Sequence, residues 1–148
     1  MKSKIIYASG SFDLLHFGHL KILKKAKSLG DYLIVAVSTD KLMKEKGKIT
    51  IISFRERVKL IQELRCVDKV VPESEIFDIN QFQYYNADIF VIGDDWKNRT
   101  DIPNLNWLKE HNKIVFLPYT KSLSSSKIKE KIIKNSYKIL KSQIKKEK

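Results

Sequence analysis

One stretch constrains this chain more than any other: an apolar run that meets an amphipathic one across a turn holding two glycines and two histidines. Ile5-Ile6-Tyr7-Ala8 reads as a strand buried on both faces, and Leu20 to Ala26 repeats its apolar residues at helical spacing. Between them lies Ser9-Gly10-Ser11-Phe12-Asp13-Leu14-Leu15-His16-Phe17-Gly18-His19. A strand that turns directly into a helix commits the chain to an α/β fold. At that junction the strand holds the loop, and the first N–H groups of the helix, which lack partners within it, face whatever lies above the sheet edge. Gly10 and Gly18 leave room for an anionic group to approach the backbone. His16 and His19, three apart, share one side of the helix start. Either histidine alone reads equally well as a cap or a packed core residue. The pair, framed by glycines at a strand end, reads as a phosphate site.

The rest of the chain continues the alternation. Leu33 to Ser38 is a second unbroken apolar run, and with the first strand and helix it makes a βαβ unit with a right-handed crossover. Residues 39–53 lack periodicity and read as a loop carrying Lys41, Lys44, Lys46 and Lys48 around Gly47. Because this segment leaves the carboxyl end of a strand, it faces the same edge as His16. Ser53 with Glu56 forms a capping-box pattern for a helix from Phe54 to Leu64. Then follow a strand from Val67 to Pro72, a helix from Ile79 to Asn86, and a strand from Asp88 to Ile92 that ends in Gly93-Asp94-Asp95-Trp96. A short helix from Pro103, a strand from Lys113 to Pro118, the serine-rich segment Tyr119 to Ser126 and a helix from Lys127 complete the chain. The pattern predicts one α/β domain over 1–148, an αβα sandwich around a parallel, doubly wound sheet of about five strands.

Charge and cysteine content narrow the setting. The net charge of +12 suits nucleic acid, an anionic surface or a phosphate-bearing substrate, but the lysines from Lys127 onward face only Glu130 and Glu147, so the excess belongs largely to the tail. An aromatic-rich basic face suited to nucleic acid is missing. Cys66 is the single cysteine, no run is long enough to span a bilayer, and the start reads as strand rather than leader, so a cytoplasmic protein is expected. In the last helix Ile128, Ile132, Ile139, Leu140 and Ile144 oppose a lysine face; docking on its own sheet is the expectation, with 134–148 a basic extension, and lying flat on a membrane is the other reading.

His16-Phe17-Gly18-His19 after Gly10-Ser11-Phe12-Asp13-Leu14-Leu15 resembles the HxGH signature of the nucleotidylyltransferase superfamily. Among its cytidylyltransferases the pattern is most similar to the glycerol-3-phosphate cytidylyltransferase group. The resemblance implies a Rossmann-like fold, transfer of CMP from CTP to a small phosphorylated alcohol with release of pyrophosphate, Mg²⁺ bound with the nucleotide, and a homodimer. It implies catalytic roles for His16, His19 and Lys48. It assigns nucleotide contacts to those residues and to Ser11, Phe12, Phe17, Gly18, Arg65, Asp95, Trp96, Tyr119, Thr120, Ser124 and Ser125, and acceptor contacts to Lys46, Asp13 and Arg57. No protein ligand to a metal is implied. The sequence departs from the family pattern in placing Tyr119 and Ser122 where the group carries arginine and glycine. Lys121 is the cation nearest to the lost arginine. The lysine the group places on its acceptor after the third strand is also missing, since Val70 to Trp96 contains no lysine or arginine. Acceptors other than glycerol 3-phosphate (a sugar-alcohol, ethanolamine or choline phosphate), ATP as the nucleotide, and a non-catalytic binding module are the alternatives.

Overall fold

The structure, a computed structural model, describes residues 2–146. Its centre is a five-stranded sheet, β1 Ile5–Gly10, β2 Tyr32–Ser38, β3 Lys69–Glu73, β4 Ile89–Gly93 and β5 Ile114–Leu117, in the order β3-β2-β1-β4-β5. All four pairings are parallel. The chain steps outward from β1 through β2 to β3, then crosses back to β4 and β5 on the other side of β1. The reversal opens a crevice above the carboxyl ends of β1 and β4, where doubly wound sheets take their ligands.

Helices α1 Phe17–Lys27, α3 Phe54–Gln62, α4 Ile79–Tyr84 and α5 Pro103–Glu110 cover the sheet. Ile6, Ala8, Leu33, Val35 and Val37 point to one face, beneath Leu23 and Ala26 of α1 and Ile61 of α3. Tyr7, Ile34, Ala36 and Phe90 point to the other, beneath Phe82 of α4 and Leu105 and Leu108 of α5. Both faces are therefore dry, which is why β1 and β2 are apolar runs rather than alternating ones.

Two segments differ from the sequence reading. Residues 39–53, read as a loop, contain a helix, α2 Asp40–Glu45, capped by the Thr39 side chain on the Leu42 N–H. Six residues are too few for a 3.6-residue period to register. The helix ends in a Schellman turn: the Gly47 N–H donates to the Lys44 carbonyl and the Lys48 N–H to the Met43 carbonyl, each at 2.9 Å, with Gly47 at φ +68°. A Cβ at Gly47 would meet no atom within 4 Å, so only the left-handed backbone resists a side chain there. Gly47→Ala is expected to lower unfolding free energy in urea by about 1 kcal/mol and to disturb Lys46 and Lys48, which flank the turn.

The second difference is the last helix, α6 Ser125–Lys146. It does not dock on the sheet. From Lys131 to Lys145 only Asn135 is not exposed. The sheet's two faces are already occupied by α1 and α3 and by α4 and α5, so the apolar side of α6 has no surface of this fold to cover. Among the described residues no helix is long and apolar enough to cross a membrane.

Candidate active site

The crevice is lined by segments from separate loops: Ser9 to Phe12 with His16, Gly18 and His19; Lys46 and Lys48; Glu73; Gly93, Asp95 and Trp96; and Tyr119, Thr120, Ser124 and Ser125. Lys121 is exposed and outside this lining.

The histidines are held by backbone geometry. His16 is the N-cap of α1 in an extended conformation, and its Nδ1 accepts the Gly18 N–H at 3.1 Å. The His19 Nδ1 accepts the His16 N–H at 3.3 Å, so two imidazoles complete a reciprocal capping box usually built from Ser or Thr and Glu. Because each Nδ1 is an acceptor, the hydrogen-bond pattern assigns the proton of each neutral ring to Nε2. The rings stack with centroids 3.8 Å apart. A Cβ on Gly18 would lie 2.9 Å from the His16 ring, so glycine there is what lets the ring fold back over the helix start.

Burial lowers the pKa of His16, and burial followed by the neighbouring His16 pulls His19 down to about 4 against the opposing pull of Asp13. Both rings are therefore neutral donors near pH 7. The Nε2 of His16 is buried without a hydrogen-bond partner. An orphaned buried donor costs about 1–3 kcal/mol, and it lies in the wall of the crevice, where an anionic ligand would satisfy it. An NMR titration of the ligand-free protein is expected to place the His19 midpoint near 4. The unfolded chain takes up that proton first, so stability contributed here is complete above about pH 6.5 and falls as pH drops toward 4. A midpoint near 6.5 would contradict the neutral pair.

Lys46 and Lys48 reach the crevice from either side of the Gly47 turn. Below them lies Glu73, which the sequence reading missed. It is 3% exposed, its carboxylate accepts the Ser38 hydroxyl, and burial raises its pKa against that bond. Lys46 is lowered by burial, with the nearby Glu73 charge opposing. The available signal is an acid at the carboxyl end of the strand, which the sequence reading ends at Pro72 and the structure extends to Glu73.

Four expected contacts lie elsewhere. Asp13 is 2% exposed; its two oxygens accept the Ile51 and Ile52 N–H groups, each at 2.9 Å, and one pairs with Lys129 at 3.1 Å. Those bonds make it a tether for the 49–53 loop and α6 rather than an acceptor contact. Arg57 is fully buried. It donates to the carbonyls of Ile52 at 3.0 Å, Ser11 at 2.6 Å and Ser38 at 2.8 Å, and to Asp40 at 2.6 Å. The guanidinium thus clamps the ends of β1 and β2 instead of meeting a phosphate. Arg65 is exposed in the connection from α3 to β3, and in a parallel sheet such connections lie at the amino edge, away from the crevice. Phe17 opens α1 on its outer side at 63% exposure, outside the lining.

The remaining expected residues converge. Asp95 belongs to the turn Asp94–Trp96 that follows β4; its carboxyl is raised by burial, and its Oδ1 folds back over Gly93, where a Cβ would lie 2.5 Å away. The Trp96 indole stands edge-on to Phe77, with the Arg99 guanidinium over it at 5.4 Å. Tyr119 lines the crevice while its N–H donates to Asp94 at 3.0 Å, tying the loop after β5 to this turn. At the start of α6 the Ser124 hydroxyl accepts the Lys127 N–H, and the Ser125 hydroxyl donates to the Asp13 carbonyl. The crevice thus presents neutral imidazole donors, two lysines, a helix start, and a carboxyl beside an indole, with Lys48 near enough that its charge acts on Asp95. Among the described residues no three His, Cys, Asp or Glu side chains gather to hold a metal ion.

The chain is similar to several known proteins. Glycerol-3-phosphate cytidylyltransferase of Bacillus subtilis strain 168 is 44% identical over 133 residues, covering 89% of this chain and 98% of that protein. The bifunctional protein HldE of Helicobacter pylori strain 26695 is 40% identical over 133 residues, 88% of this chain but 28% of that protein. The crystal structure of a lipopolysaccharide core biosynthesis protein from Thermoplasma volcanium superposes with a TM-score of 0.69 at 30% identity, over 81% of this chain and all of that one. The cytidylyltransferase-like family model matches residues 7–131, a span that takes in every strand but the first two residues of β1, together with the whole crevice, and the chain belongs to that family.

Proposed function

We propose that this enzyme transfers CMP from CTP to glycerol 3-phosphate, yielding CDP-glycerol and pyrophosphate. The observation that carries the reading is the stacked histidine pair, whose His16 Nε2 is a buried donor without a partner. The glycerol-3-phosphate cytidylyltransferases among the relatives support the choice of nucleotide and acceptor.

A phosphate oxygen of the acceptor attacks the α-phosphorus of CTP in line. One P–O bond forms, the bond from the α-phosphorus to the oxygen shared with the β-phosphate breaks, and pyrophosphate leaves with that electron pair. The acceptor is already an anion, so no side-chain nucleophile is required, and catalysis consists of positioning and charge stabilisation. His16 and His19 donate from Nε2 to the α-phosphoryl and leaving oxygens. Lys48 neutralises the triphosphate, and Lys46, held in its buried position opposite Glu73, meets the acceptor phosphate. Thr120, Ser124 and the first turn of α6 cradle the phosphates. Ser11 and Phe12 wall the β1 end, and Asp95 and Trp96 face the base, a carboxylate for the cytosine amino group and an indole for its ring. Among the described residues no three His, Cys, Asp or Glu side chains form a cage for a cation, and Mg²⁺ bound with the nucleotide would supply charge neutralisation alongside Lys46 and Lys48.

The test is pyrophosphate release by the purified chain with CTP, ATP, GTP or UTP against glycerol 3-phosphate and the phosphates of a sugar alcohol, ethanolamine and choline. Turnover is expected with CTP and glycerol 3-phosphate. Preference for ATP overturns the nucleotide, preference for another acceptor overturns glycerol 3-phosphate, and no release with any pair overturns the reaction.

A further inference from the structure

The outer part of α6 is the largest feature of the molecule that the proposed chemistry leaves unused. Ile133, Tyr137, Leu140 and Ile144 fall on one side of the helix at spacings of four, three and four, and Ile132 and Ile139 widen that side. All six are exposed, Ile133 and Tyr137 at 74%. Lys131, Lys134, Lys138, Lys141 and Lys145 form a row on the opposite side, and no acidic residue occurs from Lys131 to Lys146. The family match stops at residue 131, and the Bacillus subtilis relative is matched over 98% of its length by only 89% of this chain. This half-helix is therefore an addition to the catalytic fold. Its base is fixed, since Lys129 holds the Asp13 carboxylate and the Ile49 carbonyl.

We propose that residues 132–146 are an interfacial helix that binds the enzyme to a membrane surface rich in anionic lipid. The apolar side enters the boundary between headgroups and acyl chains while the lysine row meets the headgroup phosphates. Charge complementarity selects this occupant. A second copy joined through the same apolar side would leave both lysine rows facing outward with no acid to pair them, in a chain of net charge +12. A nucleic acid would satisfy the lysines but leave the isoleucines, leucine and tyrosine in water.

The experiment is co-sedimentation of the full-length chain with vesicles of phosphatidylcholine alone or mixed with phosphatidylglycerol. Two variants accompany it: the triple substitution Ile133→Ser, Leu140→Ser, Ile144→Ser, and the triple substitution Lys134→Gln, Lys138→Gln, Lys141→Gln. Binding is expected to the anionic vesicles and not to the neutral ones, falling at least about tenfold in each variant and at high salt, while pyrophosphate release from soluble substrates is unchanged. No binding to anionic vesicles overturns the proposal, as does equal binding by the apolar variant. Sedimentation that shows a dimer in the parent and a monomer in the apolar variant would give the face to a second copy and also overturn it. Because the binding assay contains no nucleotide, its failure leaves the proposed reaction standing, and failure of the turnover assay leaves the helix proposal standing.

Discussion

His16→Ala is expected to lower kcat by at least about 100-fold with the chain still folded at pH 7, the scale of removing one preorganised donor from a developing oxyanion. The argument rests on where the proton sits. The His16 Nδ1 is committed to the Gly18 N–H, which leaves Nε2 as the donor, and Nε2 has no partner in the ligand-free protein. The ring's tautomer and its cap are therefore fixed before substrate arrives, and Nε2 is the atom left to donate when charge builds on the α-phosphoryl oxygens. Alanine also removes an N-cap, at a cost of about 1 kcal/mol, which a chain of ordinary stability tolerates. His16→Asn separates the two effects: asparagine caps well and carries no donor at the Nε2 position. It is expected to restore the unfolding midpoint in urea without restoring kcat. Recovery of kcat by asparagine would show that the histidine matters through its cap alone.

Arg57→Leu is expected to reduce unfolding free energy by about 3–5 kcal/mol, a large fraction of the total for a domain of this size. The side chain is fully buried and donates to three backbone carbonyls and to Asp40. Leucine approximates its apolar stem, but the carbonyls of Ser11, Ser38 and Ile52 lose a charged donor, the one at Ser38 in a buried position and the other two in part-buried ones. Those carbonyls belong to the ends of β1 and β2 and to the segment entering α3, so the clamp positions the loop that carries His16 and the approach to the lysines. Urea unfolding is the measurement. An unchanged midpoint with a raised KM for the phosphorylated acceptor would instead return Arg57 to the acceptor site, as the family resemblance implied.

The difference between Arg57 and His16 shows how far a sequence can be read. The histidine pair, Gly18 and the strand-to-helix junction are close together along the chain, and their geometry follows from local turn and capping chemistry. Lys46 and Lys48 are placed on that edge by the strand their segment leaves, while their roles come from the family resemblance, and α2 itself is too short to announce. Arg57 has the sequence signature of any charged residue on a helix. Its burial arises because Ser11, 46 positions away, and Ser38, 19 positions away, bring their carbonyls to it. Asp13 was misread in the same manner, since Lys129 reaches it only when α6 packs beside the β1 loop.

By itself the sequence determined the alternation of strands and helices and the strand-to-helix turn that sets His16 and His19 at the carboxyl edge of the sheet, because hydrophobic period, capping and glycine turns act over a few residues. Only the tertiary structure decided that Asp13 and Arg57 are buried against backbone groups of distant loops, that Glu73 lies near Lys46, and that the sheet has no face left for the end of α6. Those outcomes depend on which distant segments exclude water from one another, as Ser125 does when its hydroxyl meets the carbonyl of Asp13, 112 positions away.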